Sequence, residues 1–132
     1  MKEPSFLGLD EVLALHADQI RRYGGRAGIR DLELLKSALA TPEASYGDDY
    51  LHTDIFEMAA AYLFHIVRNH PFVDGNKRTG LMAALAFLGL NDLRLDADAD
   101  ALAELVIGVA AGEVGKAGVA VFLQEHSRPR LA

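Results

Sequence analysis

The sequence has no cysteine. This absence excludes disulfide bonds, thiolate metal sites and a cysteine nucleophile, and it is consistent with a reducing compartment. The apolar run at residues 81–90 falls far short of the roughly 20 residues that a membrane-spanning helix needs. The first residues lack the basic and apolar segments of a secretory signal. These absences predict a soluble, cytoplasmic protein that does not associate with a membrane.

An excess of positive charge is also missing, because the formal net charge is −6. Nucleic-acid binding depends largely on basic surfaces that neutralise phosphates and release counterions, so we expect no direct binding of DNA or RNA. Arginines cluster near the start of the sequence and at its end: Arg21, Arg22, Arg26 and Arg30, and Arg128 and Arg130. A solvated helix face and a frayed tail are the expected settings for these two groups.

What is present is the composition of a globular protein, with 51% apolar and 24% charged residues. The length suits one domain that spans residues 1–132. Apolar residues recur with helical spacing almost throughout, which predicts an all-α bundle of about six helices.

Local signals set the expected limits of these helices. The first covers residues 9–22 and stops at Gly24, and the second begins after Asp31 and ends before Pro42. Residues 43–51 form an irregular loop or a short hairpin. Thr53 caps a third helix that ends near residue 69. A fifth helix follows three aspartates at positions 96, 98 and 100, and a sixth covers residues 114–124.

The fourth helix is expected to begin at Asn76 and to be apolar on all sides. A helix without a polar face belongs in the middle of a core. We therefore expect the bundle to surround this buried central helix.

The segment between the third and fourth helices carries the residues with chemical potential: His70, Pro71, Phe72, Val73, Asp74, Gly75, Asn76, Lys77, Arg78 and Thr79. Asp74 and Gly75 favour a turn, and Asn76 is a suitable helix cap. The backbone amides of residues 75–78 should then converge in front of the fourth helix. Unpaired amides at the positive end of a helix dipole form an anion site.

The charged residues of this segment extend the same site. Lys77 and Arg78 add positive charge for phosphate oxygens. Asp74 offers a hard oxygen ligand for Mg²⁺, and His70 can take up a proton near neutral pH. These are the parts of a phosphate-transfer site. The same residues are also typical of an ordinary loop that enters a helix, and on the residues alone both interpretations stay open.

The segment resembles the signature of the Fic/Doc family. Its Doc form is His-x-Phe-x-Asp-Ala/Gly-Asn-Lys-Arg, and positions 70–78 match it at every defined residue. The flanks are also similar to the death-on-curing (Doc) branch, at residues 6–10, 24–25, 35–42 and 68–70. The resemblance covers about residues 6–125.

The resemblance implies a Fic fold and a role for each matching residue. His70 would be the general base that deprotonates a target hydroxyl, and Phe72 would anchor the loop in the core. Asp74 would bind Mg²⁺. The backbone of Gly75, Asn76 and Lys77, together with the Arg78 side chain, would hold the phosphates of ATP. Residues 43–51 would form a flap that aligns the substrate peptide.

Two positions separate this sequence from adenylyl-transferring Fic proteins, which have a second Gly at the position of Lys77 and a second Arg at the position of Leu81. Doc-branch members share these changes and act as kinases on a translation elongation factor. The resemblance thus implies a toxin that is paired with an antitoxin and inhibits translation by phosphorylating a factor of the elongation factor Tu type. At position 75 this sequence has the Gly of the Fic form, whereas Doc members often have Ala. The alternatives are a protein adenylyl or other nucleotidyl transferase, and a catalytically silent module that binds the antitoxin.

Self-inhibited Fic proteins carry the pattern Ser/Thr-x-x-x-Glu-Gly/Asn, and this sequence has no such segment. Residues 53–58 come nearest, but they end in Met58. We therefore expect an antitoxin whose amphipathic C-terminal segment folds into a groove.

Other candidate sites are weaker. The aspartates at 96, 98 and 100 lack the Gly and the Glu of a calcium loop, so helix capping is the better interpretation. His65 is expected to be a hydrogen-bonded core residue, and His16, His52 and His126 have no partners at metal-ligand spacing.

Overall fold

Six α-helices and two small antiparallel β-pairs make up residues 3–130, the part of the chain that the computed structural model describes. The helices are α1 (Leu9–Tyr23), α2 (Leu32–Ala40), α3 (Ile55–Asn69), α4 (Asn76–Leu90), α5 (Ala99–Ala110) and α6 (Lys116–His126). A 3-10 turn, Thr41–Glu43, follows α2. This architecture confirms the predicted all-α bundle; residues 1, 2, 131 and 132 of the expected domain lie outside the described part.

Short-range capping explains most helix ends. The side chains of Asp31 and Asp98 accept hydrogen bonds from the backbone amides three residues later, at 3.0 and 2.7 Å. Gly24 ends α1 with a φ of +83°, a conformation that glycine adopts without strain. The predicted limits of α1 and α2 are confirmed to within a residue. The start expected for α5, after Asp100, is two residues late, because Asp98 is the cap and Asp100 lies in the first turn.

The predicted cap of α3 is wrong by one residue. Asp54, not Thr53, precedes the helix, and its carboxylate accepts the Glu57 amide at 2.8 Å. Thr53 instead donates its hydroxyl hydrogen to the Glu57 side chain at 2.7 Å. A carboxylate suits the positive end of the helix dipole better than a hydroxyl does.

The helix at the centre of the bundle is α3, so the expectation for α4 is wrong. Eight residues of α3 are buried, and the helix packs against α2, α4, α5 and α6. On α4 the side chains of Leu81, Met82 and Leu85 remain half-exposed. Apolar residues along a helix indicate that part of its surface is buried, but they do not determine how many neighbouring helices cover that surface.

Small residues on the inner face of α4 bring it close to α3. A Cβ atom at Gly80 would lie 2.8 Å from Val67 Cγ2 and 3.2 Å from the carbonyl oxygen of Leu63. This close approach fixes the two helices that carry the loop between them, residues 70–75.

Two short β-pairs complete the fold. Strands β1 (Ser45–Tyr46) and β2 (Asp49–Tyr50) form the short hairpin that the sequence allowed. Strands β3 (Leu93–Leu95) and β4 (Ser127–Pro129) also pair, with Arg94 opposite Arg128. The frayed tail expected for Arg128 and Arg130 is therefore wrong, because β4 and the two hydrogen bonds that Arg130 donates hold residues 127–130 against α4 and β3. No helix in residues 3–130 has both the length and the apolar character to cross a membrane.

Candidate functional site

The end of α3 sets the position of His70. Pro71 disfavours helical geometry at the preceding residue, and His70 takes the left-handed conformation with φ 52° and ψ 52°. Its amide still donates to the Ile66 carbonyl at 3.2 Å, which closes the helix. His70 is thus an exposed histidine at a backbone conformation that usually belongs to glycine.

Phe72 anchors the loop in the core. Its side chain is fully buried and stacks on the imidazole of His16, with ring centroids 3.8 Å apart and ring planes within 6°. The His16 Nε2 lies 2.8 Å from the Asp74 carbonyl oxygen. Because a carbonyl oxygen only accepts, Nε2 carries the proton and donates. No role for His16 was predicted from the sequence, in which its only signal is a polar side chain on the apolar face of α1.

Asn76 also holds the loop in place, through hydrogen bonds from its side chain to the backbone of Phe72. Its buried side chain accepts the Phe72 amide at 2.9 Å and donates to the Phe72 carbonyl at 3.0 Å. The expected role of Asn76 as helix cap is wrong, because Gly75 occupies that position with a φ of 78°. With its side chain turned inward, Asn76 can offer a ligand only its backbone amide.

Asp74 is held as an ionised carboxylate. One oxygen accepts the Arg26 amide at 3.2 Å and the other accepts the Gly75 amide at 2.9 Å. These two backbone hydrogen bonds, more than the nearby charges of Arg78 and Lys77, lower the pKa of Asp74. Because the Gly75 amide already has this partner, the expected convergence of four amides is wrong at that residue. The amides of residues 76–78 belong to the first turn of α4, which has no intrahelical acceptors for them.

These residues line one open pocket of about 440 Å³. All six residues that the sequence singled out for chemistry border it, together with three that it did not: Val67, Arg68 and Ala110. The base candidate, the carboxylate and the first turn of α4 therefore face the same space.

Arg68 brings a third cation to this pocket, beside Lys77 and Arg78. Its Nη1 donates to the carbonyls of Val109 and Ala110 at 3.2 and 3.3 Å, near the end of α5. Arg68 lies in a flank that resembles the Doc branch, but its contact with α5 could not be predicted, because Val109 lies 41 residues away along the chain.

Arg78 is held beside the pocket by an aromatic ring. Its guanidinium carbon lies 4.6 Å from the ring centroid of Tyr23, at the end of α1. A guanidinium over a tyrosine face is attracted by the negative charge of the π system. The stack therefore restricts a long side chain that would otherwise sample many rotamers.

The donor set suits a metal that arrives with phosphate. Residues 3–130 contain no group of three or more histidine or carboxylate side chains that could enclose an ion. Mg²⁺, however, needs only one or two protein carboxylates when phosphates and waters complete its shell. Asp74, ionised and on the pocket wall, fits that requirement.

The remaining histidines lie elsewhere. His65 is half-buried and accepts a hydrogen bond from the Lys116 ammonium, 3.0 Å away, as expected for a core histidine. Burial, and after it the Lys116 charge, lower the pKa of His65 to about 4. His52 Nε2 lies 3.1 Å from the same ammonium, a contact that the sequence did not indicate.

The loop between α3 and α4 thus places an imidazole, an ionised carboxylate and a cationic helix N-terminus around one pocket, an arrangement that is chemically suited to phosphate groups. Comparison with known proteins makes this assignment specific. The model of the Fic/DOC family matches residues 6–88, which include the whole loop. The chain belongs to the Fic/DOC family.

Two relatives within that family are named Doc. Protein kinase doc of Escherichia phage P1 is 39% identical over 115 residues, covering 87% of this chain and 90% of that protein. Toxin Doc of Mycolicibacterium smegmatis is 46% identical over 79 residues, covering 59% of this chain and 60% of that protein. The family and its Doc branch, inferred above from residues 70–78 and their flanks, are confirmed.

Proposed function

We propose that this protein is a Doc-type toxin that transfers the γ-phosphoryl group of ATP to a hydroxyl group of a translation factor of the elongation factor Tu type. Translation would stop as a result. The observation that carries the proposal is the pocket in which His70, Asp74 and the first turn of α4 meet. The names of the two relatives, a protein kinase and a toxin, support it.

In this mechanism His70 acts on the incoming hydroxyl. The exposed imidazole takes the hydroxyl proton as the oxygen attacks the γ-phosphorus. The bond between that phosphorus and the bridging oxygen of the β-phosphate breaks, and ADP leaves. The product is a phosphate ester on the target protein.

The rest of the pocket holds the nucleotide. The amides of residues 76–78, the dipole of α4 and the cations of Arg68, Lys77 and Arg78 suit the phosphates. Asp74 would hold Mg²⁺, which neutralises phosphate charge when bound. This chain's residues thus bind and orient the phosphates while His70 handles the proton.

Two side chains favour phosphoryl over nucleotidyl transfer. Lys77 is exposed in the pocket, where its bulk excludes one phosphate position and its charge attracts another. Leu81, which packs against the core, stands at the position where adenylyl-transferring Fic proteins have a second arginine, so that phosphate contact is missing. The terminal phosphate should then face His70.

ATP labelled at either the α- or the γ-phosphate tests this choice. We expect label on a protein of a bacterial lysate from the γ-position only, and mass spectrometry of the modified peptide should find an addition the size of a phosphate. Lys77→Gly should weaken the transfer by about 10- to 100-fold, because a charge-assisted contact to phosphate is lost. Lys36→Ala, which removes an exposed lysine of α2, is the matched control and should transfer normally.

Transfer of α-label by the unmutated protein would replace the kinase proposal by nucleotidyl transfer. No label from either position, with the protein folded, would favour a silent antitoxin-binding module.

We further propose that a separate small antitoxin controls this site through an amphipathic C-terminal segment that folds into a groove of the toxin. Support comes from the toxin name of one relative and from Leu81, which takes the place of the arginine that an inhibitory glutamate would pair with. We expect a short neighbouring gene to restore growth when it is co-expressed with this chain. If no neighbouring gene rescues growth, control by a partner encoded nearby is wrong.

A further inference from the structure

The loop that carries His70 runs beside a second loop, residues 24–31, which connects α1 to α2. The Val73 amide donates to the Gly28 carbonyl at 3.0 Å, and the Arg30 amide donates to the Pro71 carbonyl at 2.7 Å. Between these bonds, the two segments also form an isolated antiparallel bridge. The second loop therefore braces the first along its length.

The side chain of Arg30 extends this bracing to the end of α3. Its Nε donates to the His70 carbonyl at 2.6 Å, and its Nη2 donates to the Asn69 carbonyl at 2.9 Å. The last carbonyls of a helix lack intrahelical donors, and a positive charge is favourable at that end of the dipole. With the backbone bond to Pro71, Arg30 thus holds three consecutive carbonyls.

One of these three carbonyls belongs to His70, whose backbone is under strain. In residues 3–130 only His70 and Asp92 are non-glycine residues with positive φ. A side chain in the left-handed region persists when its surroundings hold it there. The orientation of the His70 carbonyl is set by the ψ angle of that residue, so a donor that fixes the oxygen also fixes ψ. The direction in which the imidazole leaves the backbone follows from that geometry.

We propose that Arg30 is a positioning residue that holds the His70 imidazole in its reactive orientation. Arg30 itself is absent from the pocket wall, so its influence passes through the backbone of residues 69–71. This inference rests on the proposed function, in which His70 takes the proton of the target hydroxyl. It assigns a function to an arginine that the sequence placed on a solvated face.

Arg30→Ala should lower kcat for transfer of γ-label by about 10²-fold, because a misplacement of about 1 Å can cost that much. The KM for ATP should stay nearly unchanged, since the nucleotide contacts remain. Arg30→Lys keeps the positive charge and can still donate to one of the carbonyls. Its kcat should therefore lie between that of Arg30→Ala and that of the unmutated protein. Arg22→Ala is the control, because it also removes an arginine charge but its guanidinium pairs with Asp18 on α1.

A second readout makes the result independent of catalysis. The NMR signals of the His70 backbone report its left-handed conformation, and we expect them to shift in Arg30→Ala and not in Arg22→Ala. Circular dichroism establishes that each variant is folded; if Arg30→Ala does not fold, Arg30→Lys takes its place in both measurements.

The outcomes separate this inference from the proposed function. An unchanged kcat in Arg30→Ala, or a rise in KM alone, overturns the positioning role. If the unmutated protein transfers no label, the proposed function fails; unchanged His70 signals in Arg30→Ala then overturn the inference as well, whereas shifted signals support the conformational effect of Arg30.

Discussion

Replacing His70 with alanine is expected to lower phosphoryl transfer by about 10²–10⁴-fold, the usual loss when a general base is removed. The side chain is exposed and packs little, so the bundle should keep its fold. Transfer of γ-label and growth arrest on expression measure the effect. His126→Ala serves as the matched control, because that histidine lies on α6, away from the pocket wall, and contacts the Phe122 carbonyl. Growth arrest that persists in His70→Ala at equal protein level contradicts the assignment.

His70→Gly should separate catalysis from stability at the same position. Glycine adopts positive φ without the penalty of about 1–2 kcal/mol that other residues incur, although it loses more chain entropy on folding. We therefore expect His70→Gly to be inactive but more stable than His70→Ala by about 1 kcal/mol, as measured by urea denaturation. A lower stability would mean that the left-handed conformation carries little strain.

Replacing Asn76 with alanine is expected to cost about 2–4 kcal/mol of unfolding free energy. The substitution leaves the amide and the carbonyl of Phe72 without their partners in the core, and each such loss costs about 1–3 kcal/mol. The loop should loosen and transfer should fall with it. A loss below about 1 kcal/mol by urea denaturation would contradict this account, because it would mean that water reaches both groups.

Asn76→Asp provides a close control for the same prediction. The carboxylate can still accept the Phe72 amide, but its second oxygen faces the Phe72 carbonyl, which also only accepts. A protonated carboxyl can donate there, so folding should raise the pKa of this aspartic acid. The contribution of this group to stability is then fully present below about pH 4, the unfolded pKa, and is lost as the pH rises through the folded pKa. The unmutated protein has an amide at residue 76, so this position should contribute no such gain in stability at low pH.

The parts of the fold that sequence could predict are those fixed by nearby residues. Asp31 and Asp98 cap their helices with amides three residues away, and Gly24 ends α1 within its own backbone. The candidate site at residues 70–78 could be predicted for the same reason. Its residues are consecutive in a loop and the first turn of a helix, so local geometry alone makes them face one pocket. Even there, the inward orientation of Asn76 could not be predicted, because it depends on the two hydrogen bonds that the loop at Phe72 offers.

The parts that sequence could not predict depend on contacts between distant segments. Arg30 reaches His70 across 40 residues, and His16 reaches Asp74 across 58. No local pattern in an exposed loop or on α1 indicates such partners. The place of α3 at the centre has the same origin, because apolar residues indicate that a surface is covered but not by which neighbours. The β3–β4 pair joins strands of three residues each, which are too short for a periodic signal.

The stack of Arg78 on Tyr23 has a practical consequence. The chain has no tryptophan and four tyrosines, so its near-ultraviolet emission comes from few sources. Tyr62 is fully enclosed in the core, whereas Tyr23 is 60% exposed beneath a guanidinium that borders the pocket proposed to hold phosphate. A polyanion that draws Arg78 off the ring changes the polarity around one chromophore. Occupancy of the site can therefore be followed optically on the unlabelled protein, with Tyr23→Phe as the spectroscopic blank.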